Sequence, residues 1–163
     1  MNKRIKRLTT LSLVLAIAMV LSFIESRMPL SLAIPGVKIG FANIAIVFAL
    51  YKLGAKEAVC ASIVRVVLVS FLFGNSVSLM YSLAGATLSL ILMLLLKRFS
   101  PFSELGVSVA GGVAHNIGQI AMACIILKTN IIAYYLPFLL LSGTVAGVVI
   151  GIVSAILIKR IKT

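Results

Sequence analysis

Three polar side chains lie close together within a long apolar stretch, residues 106–127. His115, Asn116 and Gln119 are near its middle, and His115 and Gln119, four residues apart, share one face of a helix. Polar groups are rare inside membrane-spanning helices and tend to mark functional positions. These three supply hydrogen-bond donors and acceptors without fixed charge. We predict that they bind a polar group of a ligand, with hydrogen bonding between helices as the alternative.

A second candidate is Arg65, near the centre of another apolar segment. An arginine that faces lipid at this depth costs at least about 2.5 kcal/mol, so we expect its side chain to face the interior or a wet cavity. There it either anchors a carboxylate or phosphate group of a ligand or is satisfied by backbone carbonyls and amide side chains. We expect no acidic residue at its depth, and therefore no salt bridge inside the membrane.

The third unusual stretch, residues 35–43, reads Pro-Gly-Val-Lys-Ile-Gly-Phe-Ala-Asn. Its glycines permit tight turns, and free amides at a helix start attract anions. Lys38 adds a positive charge, and Asn43 lies about one turn deeper. The alternative is an ordinary helix start, with Lys38 reaching to the membrane interface. With Arg65 and the polar row of residues 106–127, this stretch predicts an outward-opening cavity for an anionic or amphipathic solute.

The shortage of acidic residues excludes several enzyme classes. The chain has no aspartate, and its three acidic residues are Glu25, Glu57 and Glu104. Magnesium held by aspartates and catalysis by paired carboxylates are therefore excluded. The single histidine and the cysteines Cys60 and Cys124 lack the spacing of a metal site, and there is no Walker-type phosphate loop. We expect no catalytic residue, metal or cofactor.

The elements that must position these residues are membrane helices. Hydrophobic residues make up 62% of the 163 residues and charged residues only 11%, which is typical of a multi-pass membrane protein. The apolar segments predict an all-α fold with one transmembrane domain over residues 1–163. Its six spanning helices are expected at residues 8–24, 38–53, 55–73, 77–96, 106–127 and 134–158.

The net charge of +12 indicates topology rather than nucleic-acid binding, because the basic residues lie at segment ends. If both termini are cytoplasmic, the inner side carries eleven basic residues and the outer side three, Arg27, Lys38 and Lys128. This asymmetry follows the positive-inside rule and predicts an N-in, C-in protein in contact with membrane lipid. The inner residues are Lys3, Arg4, Lys6, Arg7, Lys52, Lys56, Lys97, Arg98, Lys159, Arg160 and Lys162.

Small residues recur at every fourth position in the last segment, at Gly143, Gly147 and Gly151. Such a stripe lets another helix approach closely, because lipid provides no hydrophobic drive for helix association. The approaching helix belongs either to the same chain or to a partner protein.

Residues 35–43, the stretch from Gly106 through His115 and Asn116 to Gln119, and Leu136-Pro137 followed by the glycine stripe resemble a known bacterial family. This is the heptaprenyl diphosphate synthase component I family, also called the Gx transporter family, which is similar to the substrate-binding S components of energy-coupling-factor (ECF) transporters. The resemblance covers nearly the whole chain. It implies a six-helix bundle in the bacterial cytoplasmic membrane, with an outward pocket that contains Lys38, Asn43, Arg65, His115, Asn116 and Gln119.

The resemblance also implies partners. S components dock on a coupling protein, which works with two ATPases, through an Ala-x-x-x-Ala seam on the first helix. The nearest equivalents here are Ser12-x-x-x-Ala16 and Ala18-x-x-x-Ser22, which depart from that pattern. The solute would be isoprenoid, quinone-precursor or flavin related. The alternative is a non-catalytic membrane subunit of a soluble prenyl diphosphate synthase, or a scaffold of a quinone or extracellular electron-transfer system.

Overall fold

The computed structural model describes residues 3–27, 40–99 and 102–161, and every regular element in these ranges is helical. A short 3₁₀ helix, Ile131–Tyr135, precedes the last α-helix. The α-helices are α1 (Lys3–Arg27), α2 (Asn43–Lys52), α3 (Ala55–Phe73), α4 (Ser76–Phe99), α5 (Glu104–Leu127) and α6 (Leu136–Arg160). The prediction of an all-α protein is confirmed.

Four of these helices, α1, α4, α5 and α6, are long and apolar enough to cross a membrane. The other two differ from the predicted spans. α2 has 10 residues and a length of about 15 Å, half the hydrocarbon thickness of a bilayer. The predicted helix over residues 38–53 begins too early, because residues 40–42 form a turn and α2 starts at Asn43. α3 has 19 residues but carries three charged side chains, Lys56, Glu57 and Arg65.

α5 is the central helix, and it packs more extensively on α4 and α6 than any other helices of the described chain pack on each other. Glycines bring α5 and α6 into backbone contact. A Cβ on Gly112 would lie 2.6 Å from the carbonyl oxygen of Gly143, and a Cβ on Gly147 would lie 2.6 Å from the Cα of Val109. The Ser108 hydroxyl donates to the Gly147 carbonyl at 2.9 Å. Close approach thus lets side chains of one helix bond to the backbone of the other.

The opposite side of α5 approaches α4 in the same way. A Cβ on Gly118 would lie 2.7 Å from the carbonyl oxygen of Ala84, and one on Gly85 would lie 2.9 Å from the Cγ of Gln119. This contact is tight because a glycine from each helix faces the other. α5 is therefore fixed between its two neighbours, and its polar side chains have defined positions.

The short helix α2 ends against cationic side chains from other helices. Lys97 donates to the Leu50 carbonyl at 2.5 Å, and Arg7 donates to the carbonyl of Leu53. Arg7 also forms an ion pair with Glu57 at 2.9 Å. Because the last carbonyls of a helix lack intrahelical donors and carry partial negative charge, these contacts stabilise the end of α2.

The predicted helix-docking residues have two different fates. Gly143, Gly147 and Gly151 are buried against α5, so this stripe packs within the chain, which is the first of the two alternatives that the sequence left open. The physical reason is that α5 carries Gly112 opposite Gly143 and Gly147 and is the preceding α-helix of the chain. Ser12 and Ala16 are exposed on the outer face of α1, and their docking role stays a prediction.

Gly147→Val is expected to destabilise the protein, because the added side chain meets the α5 backbone, which cannot move aside. Overpacking of this kind costs about 1–3 kcal/mol. Thermal unfolding in detergent, followed by circular dichroism, measures the effect. Thr144→Val is the control, since Thr144 is exposed on the same helix. Equal melting temperatures for the two variants would contradict the α5–α6 contact.

Candidate functional site

Five segments of the chain meet at a small cavity near one end of the bundle. Arg65 projects into it from α3 and His115 from α5, so the structure brings these two predicted site residues together. Both are almost completely buried, at 6% and 4% exposure. The other lining residues come from α1, the turn before α2, α3 and α4, and they are Ser22, Glu25, Gly40, Val66, Val69 and Ser82.

Glu25 is the residue that sequence reasoning missed. We predicted no acidic group near Arg65, but Glu25 lines the same cavity, is only 8% exposed and interacts electrostatically with Arg65. The error has a simple cause. The predicted first helix ends at residue 24, whereas α1 continues to Arg27 and carries Glu25 on its inner face. The signal was available, since Val14, Ala18, Ser22 and Glu25 are three or four residues apart and all are buried.

The cavity is closed on one side by the turn that leads into α2. The N–H of Gly40 donates to Glu25 Oε1 at 2.5 Å, which ties the end of α1 to the start of α2. Gly40 has a φ of +93°, a conformation that favours glycine. A Cβ at this position would lie 3.1 Å from Nδ2 of Asn43 and 4.0 Å from Cδ2 of His115. Asn43 is therefore next to the cavity but does not line it.

The remaining predicted residues lie elsewhere. Asn116 faces α6, where its Nδ2 donates to the Leu139 carbonyl at 2.6 Å. Gln119 is fully buried against Gly85 of α4, and neither atom of its amide has a hydrogen-bond partner among the described residues. The expected polar row of α5 is thus divided, with His115 and Gln119 turned to α4 and Asn116 to α6. Lys38 lies outside the described residues.

The cavity is small and has both polar and apolar lining residues. Its volume is about 20 Å³, which holds one or two ordered waters at the ~10–15 Å³ that each requires. Arg65 Nε is buried without a hydrogen-bond partner in the described part of the chain. A guanidinium, a carboxylate, an imidazole and two serine hydroxyls therefore surround a space suited to a small polar group. No three of His, Cys, Asp and Glu cluster as metal ligands within residues 3–27, 40–99 and 102–161.

Comparison with known proteins gives one result. The family model described as heptaprenyl diphosphate synthase component I matches residues 14–157, which is most of the chain. The chain belongs to this family. The match includes all five segments that line the cavity, and it confirms the family resemblance found in the sequence. No curated protein and no solved structure matches the chain.

Glu25 and Arg65 are expected to be energetically coupled, because removing one partner leaves the other as an uncompensated buried charge. Loss of one partner from a buried pair costs about 3–5 kcal/mol. We expect Glu25→Gln and Arg65→Gln each to lower the free energy of unfolding. The double variant is expected to lower it by clearly less than the sum of the two single effects. Chemical unfolding in detergent micelles gives the free energies of unfolding of the wild type, the two single variants and the double variant.

The pair Arg7–Glu57, which is more accessible than Glu25 and Arg65, provides the control. The side chains of Arg7 and Glu57 are 57% and 19% exposed, and ion pairs near the surface contribute about 0–1 kcal/mol. The same double-mutant cycle with Arg7→Gln and Glu57→Gln is therefore expected to show a small coupling free energy. Additive effects of Glu25→Gln and Arg65→Gln would show that the two charges do not interact.

Proposed function

We propose that this chain is a non-catalytic membrane component that binds the polar group of a small amphipathic solute in the Glu25–Arg65–His115 cavity. The observation that carries the proposal is the convergence of these three side chains, from α1, α3 and α5, on one buried space. An apolar bundle gains nothing from burying such groups unless they are compensated by each other, by water or by a ligand.

The charges of the cavity narrow the solute class. Arg65 alone favours an anion, but Glu25 opposes it with a negative charge in the same space. A group that presents both an acceptor to the guanidinium and a donor to the carboxylate matches this pair better than a simple anion does. Such a group carried on an isoprenoid, quinone-precursor or flavin-related body is consistent with the family name.

The solute would cross or enter the membrane from the end of the bundle where α1 ends and α2 begins. In the proposed N-in, C-in topology this end of the bundle is the outer side. The six spanning segments are then α1 to α6, including α3 and the short helix α2. The closed cavity holds only one or two waters, so entry requires α1 to move away from α3. α1 is the least buried of the four candidate spans, which supports such a movement. In the transport form of the proposal, an ECF-type coupling protein and ATPases supply the energy.

A second candidate function follows from the family name. As a component I, the chain would be an accessory membrane subunit that partners a separate catalytic component II of a prenyl diphosphate synthase. The absence of aspartate supports a non-catalytic role in such a complex. The partner would dock at the end that carries both termini, near Lys52–Lys56 and the connection between α4 and α5. Lys97 is already engaged there with the Leu50 carbonyl and the ring of Tyr51.

Native mass spectrometry of the protein purified from its own membranes tests the first function. We expect a bound solute of defined mass in the wild type. In Arg65→Gln we expect at least a tenfold loss of occupancy, because a charged hydrogen bond contributes about 1.5–3 kcal/mol. His115→Ala is expected to reduce occupancy as well, with the helical circular dichroism spectrum retained in both variants.

Lys128→Gln is the control for Arg65→Gln, because it removes one positive charge from an exposed position. It is expected to keep the solute. Equal occupancy in Lys128→Gln and Arg65→Gln would contradict the assignment of the cavity. Co-purification of a synthase subunit with no bound solute would support the second function instead.

A further inference from the structure

A second concavity lies where α3 ends and α4 begins, at the end of the bundle opposite the two termini. It is an open groove of about 240 Å³. It shares no lining residue with the Glu25–Arg65–His115 cavity, and the function proposed above makes no use of it. The groove is lined by Ser70, Phe71, Gly74, Asn75, Ser76 and Leu79.

Ser70 is the first observation that points to a ligand. Its side chain is 6% exposed, and its Oγ has no hydrogen-bond partner among the described residues. The Ser70 carbonyl is occupied, since it accepts the N–H of Gly74 at 3.2 Å, but the hydroxyl is not. A buried hydroxyl without a partner is unfavourable by roughly 1–3 kcal/mol, so a group that occupies the groove and bonds to it would be stabilised.

The start of α4 supplies further donors at the same place. Asn75 caps the helix, because its Oδ1 accepts the N–H of Ser78 at 2.8 Å and its carbonyl accepts that of Leu79 at 2.9 Å. The amides of Ser76 and Val77 have no acceptor within the helix. The 24 residues of α4 place a partial positive charge at this end. Among the residues that the structure describes, no acidic side chain lines the groove to oppose an anion.

The rest of the groove is apolar. Phe71 is 88% exposed, and Leu79 is half-buried beside the helix start. The groove thus combines hydrogen-bond donors suited to an anion with apolar walls.

We propose that this groove binds the phosphate group of an amphiphile. The Ser70 hydroxyl and the first amides of α4 donate to the phosphate oxygens, and Phe71 and Leu79 contact the apolar part of the molecule. A phosphate bound to backbone amides at a helix start follows a general mode of anion recognition. Two sources share this chemistry, a membrane phospholipid and a water-soluble amphiphile that carries a phosphate, and the experiment separates them.

The test is a native mass spectrometry titration of the delipidated full-length protein in neutral detergent. The probes are phosphatidylglycerol, a diacylglycerol with the same acyl chains, and inorganic phosphate. We expect one phosphatidylglycerol to bind and diacylglycerol to bind at least tenfold more weakly. Ser70→Ala is expected to weaken phosphatidylglycerol binding about tenfold, as for the loss of a hydrogen bond to a charged group.

Ser26→Ala is the matched control. Ser26 is exposed at the same end of the bundle, and its hydroxyl already donates to the Phe23 carbonyl at 2.7 Å. Ser76→Trp, which keeps the backbone amide and fills the groove, is expected to abolish binding. Its melting temperature, and that of Ser70→Ala, reports whether the fold is kept.

The outcomes are distinct. Displacement of the bound lipid by millimolar inorganic phosphate assigns the groove to soluble phosphate compounds. If inorganic phosphate does not displace the lipid, the groove is assigned to phospholipid. The groove is a phosphate site in both cases. Equal binding of diacylglycerol and phosphatidylglycerol overturns the proposal. So does equal affinity of Ser70→Ala and Ser26→Ala for phosphatidylglycerol when both are folded.

Discussion

Burying a guanidinium among apolar helices is energetically unfavourable, and the groups around Arg65 compensate for this. Isolated charges in a medium of low dielectric constant are strongly disfavoured unless an opposite charge, hydrogen bonds or water accompany them. Here Glu25 supplies the opposite charge, and a small cavity provides room for water. The same carboxylate accepts the N–H of Gly40, so the group that compensates the arginine also joins α1 to the start of α2.

The second requirement is that α5 stay in one position, because His115 reaches the cavity only from there. Glycines on both of its sides make this possible. Gly112 and Gly147 let α5 and α6 touch through their backbones, and Gly118 and Gly85 do the same for α5 and α4. Side chains at this separation bond directly to the neighbouring backbone, as Ser108 and Asn116 do. Packing and site geometry therefore depend on the same small residues.

Contacts between helices determine which residues of the cavity can be predicted from single segments of the sequence. Arg65 and His115 were predicted to share a cavity because charge and polarity are rare in apolar segments, and the structure places them together. Asn116 was grouped with them by proximity in sequence, yet consecutive residues of a helix point about 100° apart, and its amide bonds to α6. Glu25 was missed because helix ends are difficult to locate, and α1 is longer than its most apolar part.

Composition and periodicity alone determined that this chain is an all-α membrane protein with buried polar groups in its third and fifth helices. Those properties belong to individual segments and need no knowledge of neighbours. Only the tertiary structure decided which polar groups meet, that the Gly143–Gly147–Gly151 stripe packs on α5, and that Glu25 lines the same cavity as Arg65. The physical reason is that a partner across a helix interface is set by rotation and depth, which the spacing within one helix does not specify.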